Sequence, residues 1–215
     1  MNKILDISSV RMAAIFKNYP QIFWNKSNVT VKINVQLGVH CQKDLMGYRE
    51  PADLLPKFDL FVYPVQEDKE KWGNTLNVLN KNYYDWDLIP QGALGRLTMM
   101  CGSIDHKKAW YIKELQSPFF YFRLNNSLKK MYKPWKLNIL KYIEEIALKN
   151  DIKMMIGSTP EVTHRLSGHN VTKNVLREFY ESPFIRQGYS KKLVEFIHTD
   201  GLKTEKDTFW VKELQ

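Results

Sequence analysis

Cysteine is scarce in this chain: only Cys41 and Cys101 occur, and they form no C-x-x-C pair. That scarcity excludes a disulfide framework and a thiolate-rich metal centre, and it fits a reducing compartment such as the cytoplasm. No window of about 18 consecutive apolar residues exists, which argues against a membrane-spanning helix. The opening Met1-Asn2-Lys3-Ile4-Leu5-Asp6 lacks the uninterrupted apolar run of a signal peptide. The sequons at Asn25, Asn28, Asn125 and Asn170 are then accidents of an Asn-rich composition. No internal repeat and no Pro/Gly/Ser-rich linker interrupts the 215 residues, so one domain over 1–215 is expected.

Hydrophobic residues make up 44 % of the chain and aromatics 13 %, enough to build a proper core. The net charge is +9, from 32 Lys+Arg against 23 Asp+Glu. Such a surface suits a polyanionic partner: nucleic acid, anionic lipid or a phosphate-rich cofactor. It also suits simple solubility, because the excess lysine is spread along the whole sequence.

Local patterns divide the chain into elements. Asp6 to Lys17 carries Val10, Ala13, Ala14 and Phe16 near helical spacing and stops at Tyr19-Pro20. Val29, Val31, Ile33, Val35, Leu37 and Val39 alternate with polar residues or glycine, the period-two signature of a strand with its odd-numbered side chains buried. A second strand is expected near 58–65 and a helix over 67–81. Segments 94–104 and 108–115 flank Asp105-His106-Lys107 as a hairpin. Pro134 suits the start of a helix whose wide apolar stripe comprises Trp135, Leu137, Ile139, Leu140, Ile143, Ile146, Ala147 and Leu148, ending near Asn150. Ile152–Ile156 reads as a short buried strand broken by Gly157-Ser158-Thr159-Pro160. A helix over 172–181 and two strands at 193–198 and 208–214 complete the order.

From residue 94 onward that order is hairpin, long helix, buried strand, helix and two final strands. Together with Tyr132-Lys133-Pro134-Trp135-Lys136 leading into the helix, and Asn174–Glu181 followed by Gly188-Tyr189, it resembles the GNAT (GCN5-related N-acetyltransferase) family. The resemblance covers about residues 94–215, with 1–93 as a variable N-terminal half. It implies an α/β (α+β) fold, a mixed and mostly antiparallel twisted sheet with helices on both faces. It further implies transfer of an acyl group from acetyl-CoA or another acyl-CoA to an amine, without a metal. A run at Ile112–Ser117 with Trp135 downstream also looks like a block found in phage and plasmid polyvalent proteins, which points to a mobile-element origin.

Carried over residue by residue, the family pattern places Ile112 and Leu115 on the strand that meets the cofactor. It places Lys129, Lys130, Lys133, Trp135 and Lys136 at the pyrophosphate loop. Lysines stand there where the family has glycines, so positive charge rather than closely approaching backbone N–H groups would meet the phosphates. Cations at a helix N-terminus oppose the macrodipole, and an anion would relieve that. Tyr180 matches the acid that protonates the departing thiolate, a role that suits a phenol of pKa about 10. Glu114 would deprotonate the attacking ammonium. Strict alternation would put Tyr111, Lys113 and Leu115 on one face and Ile112, Glu114 and Gln116 on the other.

Each assignment has a plainer counterpart. Tyr180 also reads as a helix residue packed at a core edge, and Glu114 as a solvated strand residue. His164 and His169 lack a ligand set at metal spacing and read as a polar loop. His40 and Cys41, adjacent in a strand, point to opposite faces. The aromatic run Phe119–Phe122 either stacks bases or fills a core. The alternative function is therefore a non-catalytic protein that binds nucleic acid or another protein.

Overall fold

The computed structural model describes residues 15, 29–34, 58–64, 95–116, 135–167, 177, 181–198 and 204–215. Strands β1 (Val29–Asn34), β2 (Phe58–Pro64), β3 (Gly95–Ile104) and β4 (Lys107–Gln116) come first. Helix α1 (Trp135–Lys149), strand β5 (Met154–Gly157) and helices α2 (Pro160–Ser167) and α3 (Ser182–Arg186) follow. Strands β6 (Ser190–His198) and β7 (Thr204–Glu213) end the chain. Apart from Ile15, the expected helix over 6–17 lies outside the described residues, as do the helix over 67–81, the strand beyond Asn34 and most of the helix over 172–181. So do the side chains of β1, whose burial was expected to alternate.

Local chemistry explains the elements. Asp105 and His106 adopt φ of 48° and 63°, the left-handed pair that lets two residues link twisted antiparallel strands. Lys107 therefore belongs to β4 rather than to the turn. Thr159 and Pro160, read in the sequence as a break, open α2. Pro160 sits at its first position, and the Val162 N–H donates to Thr159 Oγ1 at 3.4 Å. Strands β6 and β7 begin earlier than expected because their first residues are solvent-facing and polar, so no apolar alternation marks them.

The strands follow the order β1-β2-β3-β4-β5-β7-β6, and β6 returns to pair with β3 through Gly102↔His198 and Ser103↔Ile197. Five strands, β3-β4-β5-β7-β6, thus close into a barrel, with only the β4–β5 pair parallel. This corrects the expected GNAT-like α/β sheet with helices on both faces. The described region is mostly strand and curls on itself, with three helices among the described residues. β3 serves three neighbours by dividing one edge, giving Gly95–Met99 to β2 and Gly102–Ser103 to β6.

Glycine permits the closure. A Cβ at Gly102 would come closer than 3.0 Å to the Ile197 carbonyl oxygen and to the Phe196 ring. Alternate residues of the closed strands, among them Met100, Tyr111, Ile156, Phe196 and Phe209, form the inner core, joined by Val162 of α2. Tyr111 sits at its centre, edge-on to Phe196 and to Phe209 at 5.3 Å each. The opposite sheet face, with Leu97, Trp110, Ile112, Met155 and Trp210, packs against Trp135, Ile139, Leu140 and Ile143 of α1 and Phe184 of α3. The Phe184 ring occupies the space that a Cβ at Gly157 would need.

Candidate functional site at the free end of β4

Ladder β4–β5 runs from Ala109↔Met154 to Ile112↔Gly157, and the Ser158 N–H adds one last bond to the Ile112 carbonyl at 3.1 Å. There the two chains part. After Gly157 the backbone turns into α2, while β4 continues to Gln116. No described strand pairs with 113–116 on the side β5 has left. The departing end of β5 is firmly held: Ser158 Oγ and Tyr111 OH share a buried hydrogen bond of 2.9 Å. Thr159 Oγ1 also donates to the Thr208 carbonyl at 3.1 Å.

A bulge lies at the same place. The β3–β4 register passes from Met99↔Ile112 to Thr98↔Glu114, leaving Lys113 as the extra residue. One inserted residue reverses which face each later side chain takes. Ile112 and Leu115 therefore share the outer core. Tyr111 lies in the inner one, and Glu114 falls on Tyr111's side of the sheet. This corrects the alternation expected from sequence, which had placed Leu115 with Tyr111.

Glu114 is partly buried and ion-paired with Arg96 of β3, whose own side chain is almost wholly buried. The reversed backbone also turns the Leu115 carbonyl towards the side β5 has left. There it accepts a 2.9 Å hydrogen bond from Lys136 Nζ. Lys136 is buried, with its ammonium 5.7 Å from the Trp135 ring centre, and Trp135 itself is buried in the outer core. The first turn of α1 is thereby clamped to the free end of β4.

Of the residues expected from sequence, the structure brings together Ile112, Leu115, Trp135 and Lys136, and places Glu114 on the opposite face of β4 with Arg96. Lys129, Lys130, Lys133 and Tyr180 lie outside the described residues, as do His40, Cys41 and His169. His164 falls on α2. Burial pushes the Cys101 thiol up to about 12, so it stays protonated and inert at neutral pH. Among the described residues no group of three or more His, Cys, Asp or Glu could hold a metal ion. No described helix is long and apolar enough to cross a membrane.

The chain matches no family model and no curated protein. The site must be read from its own chemistry.

Two polar clusters escaped the sequence reading: one joins residues 68 apart in the chain, and the other pairs two residues across a single hairpin. Glu144 of α1 is buried and takes an ion pair from Lys212 of β7. Tyr189 lies beside them with Lys212 Nζ 5.6 Å from its ring centre. Burial, then the nearby charge of Glu144, push the Tyr189 phenol well above its ordinary value. At the barrel seam, buried His198 donates from Nε2 to Glu205 Oε1 at 2.8 Å. The one sequence signal for either was an ionisable residue inside an otherwise apolar stretch.

Proposed function

We propose that this chain binds an acyl-coenzyme A along the free end of β4 and transfers the acyl group to an amine. The observation that carries the reading is the overrun of β4 beyond Ile112↔Gly157 at a bulge. A strand edge without a strand beside it binds extended, amide-bearing chains by main-chain hydrogen bonds. Residues 113–116 run for about 10 Å of that edge at ~3.4 Å per residue, with the Leu115 carbonyl already taken by Lys136. The pantetheine arm of coenzyme A carries two amides and fits that edge. Buried Ile112 and Leu115 give it an ordered base, and Lys136 fixes the local backbone through the Leu115 carbonyl.

Lys129, Lys130 and Lys133 immediately precede α1 in sequence, and their charge suits the cofactor's phosphates. Acyl-coenzyme A supplies an activated thioester. Glu114, held by Arg96 on the same strand pair, accepts the proton of the attacking ammonium. Tyr180 donates to the thiolate as the carbon–sulfur bond breaks, a role that rests on its match to the family pattern.

Thermal stability of the full chain with acetyl-CoA tests the reading. A ligand at about 100 times its Kd adds ~2.7 kcal/mol, a rise of roughly 5–10 °C for a domain of this size. Lys130→Glu with Lys133→Glu should abolish the rise, and Glu114→Gln should keep it while slowing transfer to a primary amine. No rise at millimolar acetyl-CoA, together with salt-sensitive binding of nucleic acid, would refute the proposal and make the lysines a polyanion footprint.

A further inference from the structure

β6 is paired with β7 along its length, but β3 reaches only its last two residues. Among the described residues no strand covers the other edge of Ser190–Phe196. An open edge presents unpaired backbone groups to any strand that can match them. Val194, Phe196 and His198 alternate with Lys191, Leu193, Glu195 and Ile197, and the latter set faces outward. Leu193 is 68 % exposed and Ile197 39 %, large apolar groups open to solvent.

Charge around Leu193 is antisymmetric, with Lys191 two residues before it and Glu195 two residues after. Antiparallel pairing of two copies about a twofold axis at Leu193 sets Lys191 of each copy opposite Glu195 of the other. It also sets Leu193 against Leu193. Parallel pairing in register would put like charge opposite like. Lys191 is already held in place by Glu181 at 3.1 Å and Glu161 at 3.6 Å, and an ammonium has three donors to share. We infer that the chain forms a twofold homodimer by joining its β6 edges, an isologous contact in which one surface serves both partners.

Sedimentation of the full-length protein at high micromolar concentration should show a dimer. Lys191→Glu and Glu195→Lys each place like charges opposite one another twice, and each should weaken the dimer by about tenfold or more. An equimolar mixture of the two variants should regain it, because every opposed pair then has opposite sign. Mixing also controls for folding: Glu195 faces Lys206 within its own hairpin, and that change is the same alone or mixed. A monomeric wild type, a dimer indifferent to both substitutions, or a mixture that fails to reassociate would each overturn the inference.

Discussion

Replacing Gly102 with alanine tests the closure of the barrel at the β3–β6 seam. The seam between β3 and β6 consists of two residue pairs, Gly102↔His198 and Ser103↔Ile197. The added Cβ would lie closer than 3.0 Å to the Phe196 ring and to the Ile197 carbonyl oxygen. The ring is anchored against Tyr111 and His198, at 5.3 and 4.8 Å between centroids, so it has little freedom to withdraw. The carbonyl oxygen is backbone and can retreat only if β6 moves away from β3. Overpacking of this kind typically costs about 1–3 kcal/mol. In a domain of this size each kcal/mol lowers Tm by roughly 2–4 °C, so the expected fall is about 2–12 °C. Hydrogen exchange separates seam opening from general destabilisation: amides of 196–198 should lose protection while those of 109–112, between β4 and β5, keep it. A Tm within about 1 °C of wild type with unchanged protection at 196–198 would refute the role assigned to Gly102.

Lys136→Met keeps the length of the side chain but removes the donor to the buried Leu115 carbonyl. It should cost about 1–3 kcal/mol in chemical denaturation, and a smaller loss would mean that the clamp is dispensable. Lys212→Met leaves the buried Glu144 carboxylate without its cation, and a loss of about 3–5 kcal/mol is expected. Adding Glu144→Leu should recover most of that loss, and failure to recover would place the cost in packing rather than charge. Tyr189 gives a pH dependence whose sign follows from linkage: its folded pKa is raised, so the folded state holds the proton more tightly than the unfolded state. Its contribution is fully present below the unfolded pKa of about 10 and is lost progressively as pH rises from there towards the folded value. Tyr189→Phe should flatten the stability profile above that pH, and an identical alkaline fall in both proteins would contradict the assignment.

Elements with a strong local signature were legible in the sequence. β2, the 95–116 hairpin, α1 and β5 lie within a few residues of their expected places, since period-two alternation, a turn tripeptide and an apolar helical stripe are short-range patterns. Helices α2 and α3 were hidden because proline reads as a breaker, although it is well tolerated in the first turn, where its missing N–H has no partner to lose. The candidate site was half legible. Ile112, Leu115, Trp135 and Lys136, grouped by the family resemblance, lie together in the structure, whereas Glu114 faces the other side of the sheet. Their roles were set elsewhere: the bulge at Lys113 decides which face Glu114 takes, and Arg96, 18 residues away, decides what its carboxylate meets.

Composition and local periodicity alone determine that this is a lysine-rich chain of strands and amphipathic helices with one long helix before a buried strand. Whether the sheet stays open or closes was decided by tertiary structure. Closure depends on the fit of Gly102 against Phe196 and Ile197, almost a hundred residues later in the chain. Side-chain alternation along β6 and β3 would read the same for an edge exposed to solvent and an edge joined to its neighbour. Period two reports only which face of a sheet is buried, and nothing local reports which strand lies beside it.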